Sequence, residues 1–241
     1  MTLIDKTILI TGAARRLGKA AALHCADQGA NLILHYNTSE TEILETKEAT
    51  IKRGQKCWTV QADLNDIASI RHLIENASAF SCFDALINNA SIFKSVGFME
   101  STTKDWEKHL RVNLTAPYLL TQLFAKQYAK EEAGRVINLV DWRALRPGKD
   151  HFPYTISKAG LVALTKDAAL SLAPKIIVNA IALGAILPPE DEPDNPDILK
   201  HVPMQRWATM DEFLSTIDFL LDGPTYITGE VIHLDGGRHL V

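Results

Sequence analysis

The sequence predicts an α/β fold, a single doubly wound parallel sheet of about seven strands with helices on both faces. Three observations carry that expectation. Short apolar runs recur along the chain and are separated mostly by helix-length segments. The first of them ends in a glycine-rich turn that leads straight into a helix. Polar clusters then fall at the ends of successive strands, where a doubly wound sheet places its ligands.

The first run, Leu3 to Thr11, contains the buried parallel strand Ile8-Leu9-Ile10 and feeds Thr11-Gly12-Ala13-Ala14-Arg15-Arg16-Leu17-Gly18. Leu17 to Gln28 reads as the helix that follows. Gly12 lets the chain turn sharply, and Gly18 lets helix and strand pack closely. Backbone N–H groups at the helix N-terminus are then expected to face a pyrophosphate, with Arg15 and Arg16 adding positive charge. The second strand, Asn31 to Tyr36, arrives at the spacing of a mononucleotide-binding βαβ unit. Further strands are expected at Cys57 to Gln61, Ala85 to Asn89, Arg135 to Val140, Ile176 to Ala182 and Glu230 to Leu234. Asp63 follows the third strand, Asn88-Asn89-Ala90-Ser91 the fourth, and Asp141 the fifth.

Pro153 to Leu172 reads as a helix, so Tyr154 and Lys158 lie one turn apart on the same face and their heads can converge on one ligand. An ammonium beside a phenol favours the phenolate. That spacing is expected to lower the tyrosine pKa until it exchanges a proton near neutral pH. Asn113 falls in an apolar helix that precedes this pair. The one compositional break, Ala185 to Gln205, is rich in proline and acid, and a substrate lid is expected over about residues 185–208.

With 241 residues, 46% apolar and 22% charged, the chain suits one large dinucleotide-binding domain spanning residues 1–241. No window reaches the length of a membrane span, and Asp5 and Lys6 interrupt the start where a signal peptide needs apolar residues. A soluble, cytoplasmic protein is expected. Cys25, Cys57 and Cys82 are scattered without C-x-x-C spacing, so reduced thiols are expected and no disulfide or metal site. A net charge of −4 with dispersed basic residues argues against a nucleic-acid surface.

Cofactor choice follows from His35-Tyr36-Asn37-Thr38-Ser39 at the end of the second strand. An enzyme for the unphosphorylated dinucleotide usually offers a carboxylate to the ribose diol there. This segment has no acid. Asn37, Thr38 and Ser39 offer amide and hydroxyl donors instead, and Arg15 is adjacent, so a preference for NADPH is expected, with Arg15 carrying most of the charge recognition.

From Thr2 to the Leu234-Asp235-Gly236-Gly237 ending, these motifs resemble the short-chain dehydrogenase/reductase family in order and spacing. The resemblance implies a Rossmann fold, with Tyr154 as proton donor, Lys158 lowering its pKa and holding the nicotinamide ribose, and Asn113 supporting a water-linked proton relay. It further implies that Asn89 stabilises the central sheet, that Asp63 hydrogen-bonds the adenine beside Leu64, and that Ala90, Ser91 and the backbone of Gly184 contact the cofactor. Leu183-Gly184 stands where the family usually has Pro-Gly.

Two departures from the general pattern look like the pteridine reductase branch, which includes bacterial dihydromonapterin and alternative dihydrofolate reductases. Arg16 replaces the second glycine of the turn, and Asp141 replaces the catalytic serine. That likeness implies that Arg16 contacts cofactor phosphate and pterin, that Phe93 stacks on the pterin, and that Ser91 touches it or the cofactor. A homotetramer acting on a small pterin or folate is implied as well. A carboxyl at position 141 suits a pterin's amidine-like edge better than a ketone. The rival readings are a carbonyl reductase acting on a ketone or 3-oxoacyl thioester, and an NADP(H)-binding regulator without turnover. Trp142, Arg143, Arg146 and Trp207 are expected to be surface and lid packing at the substrate opening.

Overall fold

The computed structural model describes residues 3–188 and 198–241. Along the chain, β1 (Thr7–Ile10) leads into α1 (Arg16–Asp27), β2 (Asn31–Tyr36) into α2 (Glu40–Lys52), and β3 (Cys57–Gln61) into α3 (Ile67–Phe80). Then β4 (Ala85–Asn88) leads into α4 (Thr103–Leu110) and α5 (Ala116–Gln127), and β5 (Gly134–Asp141) into α6 (Phe152–Leu172). The order closes with β6 (Ile176–Leu183), α7 (Met210–Asp222) and β7 (Val231–Leu234). Every pairing is parallel and the sheet runs β3-β2-β1-β4-β5-β6-β7, a seven-stranded doubly wound sheet of the class the sequence predicts.

Continuous apolar runs become strands here because both faces of the sheet are covered. In β1, Ile8 and Ile10 pack with Ala21 and Cys25 of α1 and with Phe213 and Ile217 of α7, whereas Leu9 packs with Leu73 of α3 and Leu120 of α5. β2 repeats the alternation, with Leu32 and Leu34 on the first side and Ile33 on the second. Cys25 and Cys57 are buried and Cys82 is exposed, all with free thiols. Burial pushes the Cys25 thiol up to about 12 and the Cys57 thiol up to about 11.

The strand ends differ in detail from the sequence expectation. Leu3 to Lys6 is a turn, because Asp5 takes φ 60° and the Lys6 N–H donates to the Leu3 carbonyl at 3.1 Å. α1 starts at Arg16 rather than Leu17, while β5 and β6 run on to the paired ends Asp141 and Leu183. Asn113 lies in a π-helical turn, Arg111–Thr115, between α4 and α5 rather than in a regular helix. Among the described residues, no helix is long and apolar enough to cross a membrane.

Candidate active site

The winding of the sheet reverses between β1 and β4, so the C-terminal ends of those strands open a crevice. Thr11 closes its floor. Its hydroxyl reaches the Ile87 carbonyl at 3.3 Å and accepts the N–H groups of Asn89 and Ala90, each at 3.0 Å. The Asn89 amide donates to the carbonyls of Thr11 at 2.7 Å and Gly12 at 3.0 Å, locking the glycine turn to the end of β4. Gly12 takes φ +65°, and a Cβ on Gly18 would strike the Gly12 carbonyl and lie 2.6 Å from the Asn89 amide. The turn is therefore a cradle that only glycines leave open.

α1 starts without a side-chain cap and without an acid in its first turn, so its dipole faces the cradle uncompensated. Those features fit a pyrophosphate. Arg16, at φ +50°, occupies the left-handed region in which glycine is the easy residue. Its guanidinium donates to the Pro188 carbonyl at 2.9 Å, linking the turn to the start of the expected lid.

His35 of β2 is the residue sequence reasoning missed on this side. The Gly12 N–H donates to its Nδ1 at 3.1 Å, while Nε2 lies 3.0 Å from the Ala62 carbonyl. A carbonyl only accepts, so the proton sits on Nε2 and the ring is neutral. Burial accordingly brings its pKa down to about 4.

At the end of β2, Asn37 and Thr38 are exposed and Ser39 is half-buried. Arg15 is exposed beside them, and one correction applies here. Glu42 of α2 lies 3.8 Å from the Arg15 guanidinium, so the region is not free of acid, although β2 itself ends without one. Asp63 stands exposed past β3, its carboxylate accepting the Asn65 N–H at 2.9 Å, with Leu64 buried behind it.

The second half of the site lies where β5 meets α6. The Tyr154 hydroxyl donates to the Asp141 carboxylate at 3.0 Å, and the Lys158 ammonium donates to the Leu139 carbonyl at 2.7 Å. Tyr154 and Lys158 do share one helix face. The expected lowering of the tyrosine pKa is nevertheless overturned, because burial and the Asp141 carboxylate raise it well above its ordinary value. Burial raises Asp141 as well, despite help from the Arg143 N–H and Tyr154, and it brings Lys158 down to about 8. The tyrosine is thus a protonated donor resting against an acid.

Asn113 is fully buried and uses both ends of its amide. Its oxygen accepts the Ile92 N–H at 2.9 Å and the Ser91 hydroxyl at 3.2 Å, while its nitrogen donates to the Ile92 carbonyl at 3.0 Å and Ser157 at 3.1 Å. The π-helical turn therefore pins the loop carrying Ser91 and Phe93 against α6.

Phe93 is 59% exposed rather than a core residue. One face stacks on His151 at 4.1 Å, and its ring meets Tyr154 edge-on at 4.7 Å. His151 is a second residue the sequence reading missed, since nothing in its local sequence says that it supports an aromatic.

The Gly184 N–H is donated to the Leu234 carbonyl at 2.9 Å, holding β6 to the end of β7, so its carbonyl is the backbone group left to offer a ligand. Two guanidiniums lie over the Trp142 ring, Arg143 at 4.8 Å and Arg238 at 4.2 Å. Of the expected lid, residues 189–197 lie outside the described residues. Of the remainder, Ala185, Ile186 and Val202 are buried and the Met204 N–H donates to the Gly236 carbonyl at 3.2 Å, while Pro203 to Arg206 are exposed.

A glycine cradle at the switch point of a parallel sheet, facing an acid-paired tyrosine and a buried lysine, defines a dinucleotide-using α/β oxidoreductase. The chain belongs to the short-chain dehydrogenase/reductase family, whose members work with NAD(P)H. The family model described as enoyl-(acyl carrier protein) reductase matches residues 12–239. Among curated relatives, the 3-oxoacyl-[acyl-carrier-protein] reductase of Synechocystis sp. is 32% identical over 240 residues, covering 98% of this chain and 97% of its own length. The FabG 3-oxoacyl-[acyl-carrier-protein] reductase of Aquifex aeolicus is also 32% identical, over 96% of each chain. Among solved structures, FolM alternative dihydrofolate reductase 1 of Brucella canis, complexed with NADP, superimposes with a TM-score of 0.92 at 34% identity, covering 100% of this chain and 97% of that one.

Proposed function

We propose that the protein is an NADPH-dependent pteridine reductase, converting a dihydropterin or dihydrofolate to its tetrahydro form. The observation that carries this reading is the Asp141 carboxylate hydrogen-bonded to Tyr154 at 3.0 Å, with exposed Phe93 standing edge-on to that tyrosine. Tyr154 could serve a ketone oxygen, but the Asp141 carboxylate beside it is a poor second donor to that oxygen. A pterin offers ring nitrogens that a carboxyl and a phenol can serve together, and a flat ring that an exposed aromatic can stack upon. The 34% identity to the Brucella canis FolM protein supports the same reading.

The cradle from Gly12 to Gly18 would hold the pyrophosphate, with Arg16 at its rim. Arg15, Asn37, Thr38 and Ser39 would receive the ribose phosphate, Arg15 sharing its charge with Glu42. Asp63 and Leu64 would border the adenine, with Asn89, Ala90 and Ser91 along the floor. NADPH supplies the hydride when bound. Tyr154 and Asp141 hold a proton between their oxygens and deliver it to the ring nitrogen beside the reduced carbon. Lys158, one turn behind as a cation of moderated basicity, would hold the ribose and restore that proton.

A 3-oxoacyl thioester reductase is the second reading, favoured by the names of the 32% identical relatives. One experiment separates the two: NADPH oxidation with dihydrobiopterin, dihydromonapterin, dihydrofolate and a 3-oxoacyl thioester offered in parallel. Turnover with a pterin or folate alone supports the proposal. Turnover with the thioester alone overturns it, and turnover with none of the four leaves a nucleotide-binding regulator.

A further inference from the structure

A group of metal-ligating side chains lies outside this chemistry, at the C-terminal turn. His233 of β7, Asp235 and His239 each present a ligand atom within 4.8 Å of the others. We propose that these three side chains form a binding site for one divalent transition ion of the zinc class.

Asp235 is buried at 4% exposure, and its carboxylate is already oriented. One oxygen accepts the Gly237 N–H at 2.9 Å, and the other accepts the His239 N–H at 2.9 Å and is hydrogen-bonded to His239 Nδ1 at 2.8 Å, a bond whose proton the ion would displace. Such outer hydrogen bonds fix a ligand before the ion arrives, which preserves affinity that would otherwise go into ordering the carboxylate. The imidazole and carboxylate already sit about one coordination edge apart, since ligands at about 2.1 Å from zinc lie roughly 3 Å from each other.

His233 supplies the third ligand. Its ring stacks on His239 with centroids 3.9 Å apart and planes 26° from parallel. The ring makes no hydrogen bond among the described residues, and the residue is exposed, so the imidazole can turn out of the stack to aim a nitrogen at the ion. Two imidazoles and one carboxylate suit zinc, nickel or copper, whereas magnesium and calcium prefer all-oxygen shells. Three protein ligands leave a coordination position for water. The sequence reading missed the site because it sought cysteine spacings, while these ligands gather only when the turn after β7 folds back.

The ion would tighten a turn that carries other parts of the molecule. Gly236 receives the Met204 N–H, and Arg238 donates to the Ile198 carbonyl at 3.1 Å while lying over Trp142. Binding here therefore stiffens the seam between the C-terminal turn and residues 198–204.

The test is calorimetric titration of the untagged, chelator-treated chain with Zn²⁺ and, separately, Mg²⁺. One equivalent of Zn²⁺ per chain and no heat from Mg²⁺ are expected. His233→Ala should lose that equivalent, and so should His239→Ala. His72→Ala, which removes an exposed histidine on α3, should keep it. Zn²⁺ should also raise the melting temperature of the wild type but not of His233→Ala, whose ion-free circular dichroism should match wild type because the residue is exposed. Equal Zn²⁺ uptake by wild type and His233→Ala overturns the proposal, as does the absence of uptake by the wild type or equal uptake of Mg²⁺.

Discussion

Tyr154 touches Asp141 through its hydroxyl alone, so its contribution can be removed one atom at a time. Tyr154→Phe should lower pterin turnover by about 100-fold to 10,000-fold, the usual worth of a positioned proton donor, while the dissociation constant for NADPH stays within about twofold. Steady-state rates beside a fluorescence titration of NADPH check both halves, and an active Phe variant would sink the assignment. Arg16 makes a different kind of residue-level claim. Its left-handed backbone costs about 1–2 kcal/mol in an L-residue, partly offset by the roughly 0.5–1 kcal/mol of unfolded-state entropy that glycine brings. Arg16→Gly should thus leave the melting temperature unchanged or slightly higher, while the KM for the pterin climbs. A lower melting temperature with unchanged KM would make Arg16 a structural residue. At this scale the placement of Tyr154, Lys158, Asn89 and Asp141 was legible, because each sits at a fixed offset from a strand end or helix start. His35 and His151 were not. Their importance comes from contacts with Gly12 and Phe93, which are 23 and 58 positions away in the chain and meet them only in the fold.

Elements succeed or fail at their junctions. Gly18→Ala would drive a methyl into the Gly12 carbonyl and the Asn89 amide, neither of which can retreat without opening the seam between β1 and β4. NADPH binding should fall at least about 10-fold and stability by about 1–3 kcal/mol, the usual cost of overpacking, as read by titration and by denaturant melts. At the far end of the chain, α7 opens with a full capping box. The Thr209 hydroxyl accepts the Glu212 N–H at 3.2 Å, and the Glu212 carboxylate accepts the Thr209 N–H at 2.7 Å. Thr209→Ala should cost about 1 kcal/mol in the same melts without changing turnover per folded molecule. β2 and β3 fall where the apolar runs put them, since each run ends abruptly in polar residues. The start of β1 and the π-helical turn did not announce themselves. A single left-handed Asp5 shortens the first, and the second spans only five residues, too few for any periodicity.

For the molecule as a whole, His35 ties acid stability to the cofactor cradle. Its pKa is 6.5 unfolded and about 4 folded, so between those values the unfolded chain binds a proton that the native chain refuses. Stability from this residue is complete above pH 6.5 and is lost as pH falls toward 4, by up to about 3 kcal/mol. Melting temperatures of wild type and His35→Gln should therefore diverge less at pH 5 than at pH 7, because only the wild type carries this penalty. Parallel pH curves would show that His35 is not the group responsible. The doubly wound parallel architecture was legible from the alternation of strands and helices, although the order of the strands came only with the structure. The way the C-terminal turn packs down on residues 198–204 was not, because it joins two segments that show no periodic pattern.

The three cysteines add a practical property. Cys25 and Cys57 are buried with thiols held far from ionisation, whereas Cys82 is exposed just before β4 begins. Cys82 thus lies at the N-terminal edge of the sheet, with the length of β4 between it and the crevice beyond Asn88. A maleimide dye added to the native chain should attach at this one position, giving a reporter of tumbling and assembly that leaves the catalytic edge untouched.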